Sequence, residues 1–197
     1  MPITEPNPKG TPLTERGKQL HAAADRQIAE LITLTSTIEQ AALRLPCPGR
    51  EKLGDGTVGA SMRHTADNYQ RIASFIQTSD RMPAAHQPSQ PGSHRIPRLL
   101  RAIGHGPPDH AEHKPGTGQH DDHYSADTID LSALVEQLSA SRDTLGRIAE
   151  LTDTQLDAIP PDGSFRFCDG QRTLEQVLAS LLKHQGHQVD ALRSAVA

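Results

Sequence analysis

From Thr14 onward, apolar residues return at steps of three and four. Leu20, Ala24, Ile28, Leu31, Ile38, Ala42 and Leu45 follow this spacing, which lines up one face of a helix. Thr14 is placed to cap that helix, Glu15 lies in its first turn, and Pro46 and Pro48 stop it. A second helix is predicted after Thr57, with Val58, Met62, Thr65, Tyr69, Ile72, Phe75 and Ile76 on or near its inner side and its end between Ser79 and Pro83. A third carries Leu131, Leu134, Val135, Leu138, Leu145, Ile148 and Leu151, capped by Asp130 or Thr128 and closed by Leu156 and Ile159. Pro160-Pro161-Asp162-Gly163 then reads as a turn, and Phe165-Arg166-Phe167 as a short extended connector. The fourth helix begins near Thr173, with a stripe of Leu174, Val177, Leu178, Leu181, Val189, Leu192 and Val196.

Four helices with one apolar stripe each predict an all-α protein, a four-helix bundle over residues 14–197. Residues 1–13 carry four prolines and read as a flexible tail. Residues 82–126 hold seven prolines, five glycines and seven histidines, and read as an inserted crossover between the second and third helices.

Composition narrows the class. The chain has 197 residues, only 3% of them aromatic and no Trp, which argues against a β-sandwich and against a base-stacking nucleic-acid binder. A net charge of −4 argues against a phosphate-binding surface for nucleic acid. No apolar run reaches the ~18 residues of a membrane span, and the N-terminus lacks a signal-peptide pattern, so a cytoplasmic protein is expected. Cys47 and Cys168 are expected as free thiols.

Histidine is the unusual residue, with 11 in the chain. His21 reads as a solvated face residue. His184 and His187 stand three apart on the last helix, a spacing from which one metal ion takes two ligands. His64 is the histidine of the second helix and the candidate third ligand. Three imidazoles suit zinc, nickel, copper or iron, and three ligands with an open position form a catalytic pattern. The opposing interpretation is two partly solvated helix edges. His64 shares its side with Ser61 and Asn68. Gln185 and Gln188 point nearer the core than the two histidines beside them and so call for polar partners. Asp67 and Asp190 are expected to face solvent.

Gly59-Ala60-Ser61-Met62-Arg63-His64-Thr65-Ala66-Asp67-Asn68-Tyr69 resembles the start of the second helix of DinB/YfiT-like proteins, with its "IGxxxRH" phrase. Leu182-Lys183-His184-Gln185-Gly186-His187-Gln188-Val189 resembles that family's closing "HxxxHxGQI" helix. The resemblance covers roughly residues 14–80 and 128–197. It implies a homodimeric bundle with one metal ligand on the second helix, here His64, and two on the last. His184 takes one of those places. The other falls on Ser180, a departure, so either His187 substitutes from the next turn or the site is incomplete. Relatives of this type include metal-dependent thiol transferases and mycothiol-dependent maleylpyruvate isomerases. The resemblance thus implies an enzyme acting on a small molecule through zinc or nickel, with a low-molecular-weight thiol as co-substrate. The alternatives are a non-catalytic metal-binding protein, for which Asp109, His110, His113, His120, Asp121, Asp122 and His123 also supply ligands, and a helical interaction protein with a degenerate site.

Overall fold

The computed structural model describes residues 14–79 and 126–197. The tail at 1–13 and most of the segment at 82–126, with its seven histidines, lie outside the described residues, which all fall in one contact unit. Five α-helices form: α1 Glu15–Thr37, α2 Val58–Ser79, α3 Leu131–Leu145, α4 Asp153–Asp157 and α5 Leu174–Val196. Among the described residues there is no strand, only a bridge between Pro46 and Thr57, so the protein is all-α there.

The caps sit where the side chains promise them. Thr14 accepts from the Gly17 amide, Asp130 from Ser132 and Ala133, and Thr57 from Ala60. Thr173 and Gln176 form a capping box at the start of α5.

Two helices are shorter than their stripes suggest. α1 stops at Thr37 instead of running to Leu45. Its last turns read Ile-Thr-Leu-Thr-Ser-Thr, and the hydroxyls of Thr33, Thr35, Ser36 and Thr37 all donate back to carbonyls four residues earlier. Such residues are stiff and compete for helical hydrogen bonds, so the helix gives way to an extended Ile38. A 3-10 turn, Gln40–Arg44, follows and buries Leu43, while Leu45 is left exposed. The third predicted helix likewise ends at Leu145, passes into a 3-10 segment at Gly146–Glu150, and restarts as α4 behind a Thr152–Gln155 capping box.

The connector before α5 is a turn where a short extended connector is predicted. Cys168 N donates to Phe165 O at 3.1 Å, and Gly163 N donates to Cys168 O at 3.0 Å. Phe167 has φ of +69°, a left-handed conformation uncommon for a residue with a side chain. Phe165 stacks on Phe75 of α2 with centroids 4.7 Å apart. Cys47 and Cys168 are both free and buried.

Helices α1 and α2 each pack against α3 and α5. Ion pairs fix the directions. Arg16 meets Glu175 and Arg193 meets Glu30, so α1 and α5 run parallel. A Cβ on Gly17, at the start of α1, would lie 2.8 Å from Ile148 O, beyond the end of α3, so α1 and α3 run antiparallel. Gly59, at the start of α2, sits against Ala126 and Ile129, just before α3. α2 and α3 therefore start at the same end, and the chain leaving Ser79 must return the length of α2, about 33 Å for 22 residues, to resume at Ala126. The core between these helices holds Ile28, Leu31, Met62, Tyr69, Ile72, Leu134, Leu138, Val177, Leu178 and Leu181.

One half-buried polar residue borders that core. Gln27 of α1 accepts from the Tyr69 hydroxyl at 3.0 Å and donates to Leu182 O at 3.2 Å. It ties α1, α2 and α5 together at mid-height. Gly186 makes room for it, since a Cβ there would stand 2.9 Å from Gln27 Nε2.

Candidate functional site

The seam between α2 and α5 gathers the polar groups that the sequence placed on the edges of both stripes. His64 of α2 and His184 of α5 are both half-buried and lie within electrostatic reach of each other. His187 is exposed one turn further along α5 and lies within reach of His184.

The contacts define which nitrogen does what. Asn68 Nδ2 is a donor 2.9 Å from His64 Nε2. Two donors face His184 Nε2: Gln188 Nε2 at 3.2 Å and Arg166 Nη1 at 3.4 Å. An amide nitrogen or a guanidinium only donates, so these contacts are hydrogen bonds in the neutral tautomer that carries its proton on Nδ1 and accepts at Nε2. Charge and burial agree. Burial pushes the pKa of both imidazoles below the usual value, and nearby cations push the same way: Arg71 and Arg166 at His64, Arg166 and Arg50 at His184.

The turn before α5 delivers Arg166. Its guanidinium carbon lies 5.0 Å from the centroid of the Phe167 ring, a cation–π contact, and Phe167 in turn stands edge-on to His184 with centroids 6.5 Å apart. The left-handed Phe167 thus lets one short turn present a cation and an aromatic ring together. A lone Arg in a turn gives no sequence signal for this role, and sequence reasoning missed it.

Gln185 and Gln188 are buried, at 1% and 3% exposure, as the α5 stripe predicts. Their Oε1 atoms and the Oγ of buried Ser61 have no hydrogen-bond partner. Buried oxygens of this kind are costly unless something occupies the site beside them. Asp67 does not face solvent as expected. Its side chain is mostly buried, paired with Arg63 at 3.3 Å and accepting from Gln137 at 2.8 Å. Asp190 is exposed and bonded to Arg193. His21 is half-buried rather than fully solvated and lies near Asp25. Ser180, at the family's upstream ligand position, donates to Gln176 O at 2.8 Å.

For a divalent metal the donor set fits in part. Two neutral imidazoles from facing helices are suitable ligands. As the side chains stand, both Nε2 lone pairs point at other donors, and among the described residues no three His, Cys, Asp or Glu side chains form a metal-holding group. Coordination through these nitrogens requires Asn68, Gln188 and Arg166 to turn aside.

Among the described residues no helix is long and apolar enough to cross a membrane. Comparison with family profiles, with curated proteins and with solved structures gives no match.

Proposed function

We propose that the protein is a four-helix bundle of the DinB-like type, formed by α1, α2, α3 and α5, and that the α2–α5 seam is its small-molecule site. The observation that carries this reading is a pair of neutral, half-buried imidazoles, His64 and His184, brought together from different helices beside buried polar oxygens without partners. In this reading the protein is a metal-dependent enzyme, a thiol-dependent transferase or hydrolase working as a cytoplasmic homodimer. His64 and His184 supply two ligands, and His187 supplies the third by a change of rotamer. A zinc or nickel ion held there lowers the pKa of a bound thiol or water and so supplies a nucleophile at neutral pH. Asn68 and Gln188 hold the imidazoles while no ion is bound and turn aside for one, and Phe167 shields one side of His184 from water.

A second reading is favoured by two specific observations. The Arg166 guanidinium rests against His184 Nε2, and Ser180 replaces the usual upstream ligand. Both suit a degenerate site in a non-catalytic binding or interaction protein.

Metal content separates the two. After loading with zinc or nickel and desalting, the enzyme reading expects about one ion per chain by mass spectrometry, lost in His64→Ala. Wild-type protein that retains no metal supports the degenerate reading. Uptake that survives His64→Ala moves the metal out of the seam.

A further inference from the structure

We infer that the α2–α5 seam takes the oxyanion of a small ligand, a carboxylate or a phosphate, with Arg166 as the gripping residue and Arg71 and Arg50 beside it. The inference rests on the seam being the ligand site and names the class of ligand.

The distribution of arginine partners is the first observation. Arg16, Arg44, Arg63, Arg142, Arg172 and Arg193 each have an Asp or Glu within ion-pair distance. Among the described residues Arg26, Arg50, Arg71 and Arg166 have no such partner. Of these four, Arg50, Arg71 and Arg166 lie within electrostatic reach of the histidine pair. Of the described carboxylates, Asp67 reaches His64, and it is already engaged by Arg63 and Gln137. The seam is therefore a local excess of positive charge in a chain whose net charge is −4.

The second observation is where Arg166 stands. It lies over Phe167 with Nη1 3.4 Å from His184 Nε2, which brings its planar fork to the seam's edge. A guanidinium placed there is suited to two-pronged binding of a carboxylate or phosphate. The third is the amide of Gln188. Its nitrogen faces His184 and its buried oxygen has no partner, so a ligand with a hydroxyl or amine next to its anionic group meets both requirements.

The test uses the full chain and calorimetric titration with glycolate, acetate, methyl phosphate and, as a neutral control, acetamide. Saturable binding of at least one anion is expected, with none for acetamide. Amide shifts in NMR should map to α2, α5 and the 163–170 turn. Arg166→Gln should weaken binding about tenfold or more, with partial rescue by Arg166→Lys. Arg166 is exposed, so circular dichroism should report an unchanged fold. Glycolate above methyl phosphate assigns a carboxylate, and the reverse assigns a phosphate. Equal binding of acetate and acetamide, no anion binding, or unchanged affinity in Arg166→Gln overturns the inference. Its failure is distinct from that of the metal reading: anion binding by a chain that retains no metal keeps this inference alone, and metal uptake without anion binding keeps only the other.

Discussion

At the seam, two imidazoles sit where both burial and neighbouring cations disfavour their charged forms. An unfolded histidine titrates near pH 6.5. Because the folded values lie lower, the unfolded chain takes up these protons first as pH falls. The stability that the neutral rings contribute is complete above about pH 6.5 and is lost as pH drops through their folded pKa values. Urea midpoints should therefore fall between about pH 7 and pH 5, and His64→Gln with His184→Gln should flatten that decline. The same slope in the double variant would remove these histidines as its cause. Tyr69 is a second single-residue case. Burial raises its phenol pKa, so it remains a neutral donor to Gln27. Tyr69→Phe should cost about 1 kcal/mol in thermal unfolding, because the half-buried Gln27 oxygen loses its partner.

Among the helices, local rules and packing part company at glycines and at helix ends. Gly17 lies in the first turn of α1, where helix propensity alone favours alanine by up to about 1 kcal/mol. Packing reverses the sign. The new Cβ would stand 2.8 Å from the backbone oxygen of Ile148, which cannot swing away. Gly17→Ala should destabilise by about 1–3 kcal/mol, and an unchanged or raised melting temperature would refute that contact. Thr173→Ala should cost about 1 kcal/mol by removing the α5 capping box. The caps at Thr14 and Thr57, the choice of Asp130 or Thr128, and the start of α5 near Thr173 were legible because each depends on residues within one turn. The end of α1 was not. A stripe continuing through Ala42 and Leu45 looks helical, but four hydroxyls bonding back to the helix and the burial of Leu43 decide otherwise.

On the scale of the whole molecule, the antiparallel and parallel pairings explain the need for a long connection between α2 and α3. It must carry the chain from one end of α2 to the other. Replacing residues 82–125 with a Gly/Ser linker must therefore allow about 33 Å, at least ten extended residues. Such a variant should keep helices α1 to α5, as amide chemical shifts would report, and its metal stoichiometry reports what the seam takes by itself. A drop in stoichiometry would place bound metal on the replaced segment.

The sequence by itself determined the helical class, most helix starts, the inward direction of Gln185 and Gln188, and the placing of His64 and His184 on two different helices. These follow from periodicity and capping, which are local. Only the tertiary structure decided which groups meet those histidines. Arg166 reaches His184 across 18 residues of chain through a left-handed turn, and Asp67 is drawn into a pairing with Arg63 and Gln137 instead of facing water. Side-chain convergence of that kind depends on how helices seat against each other, and no spacing along a single helix encodes it.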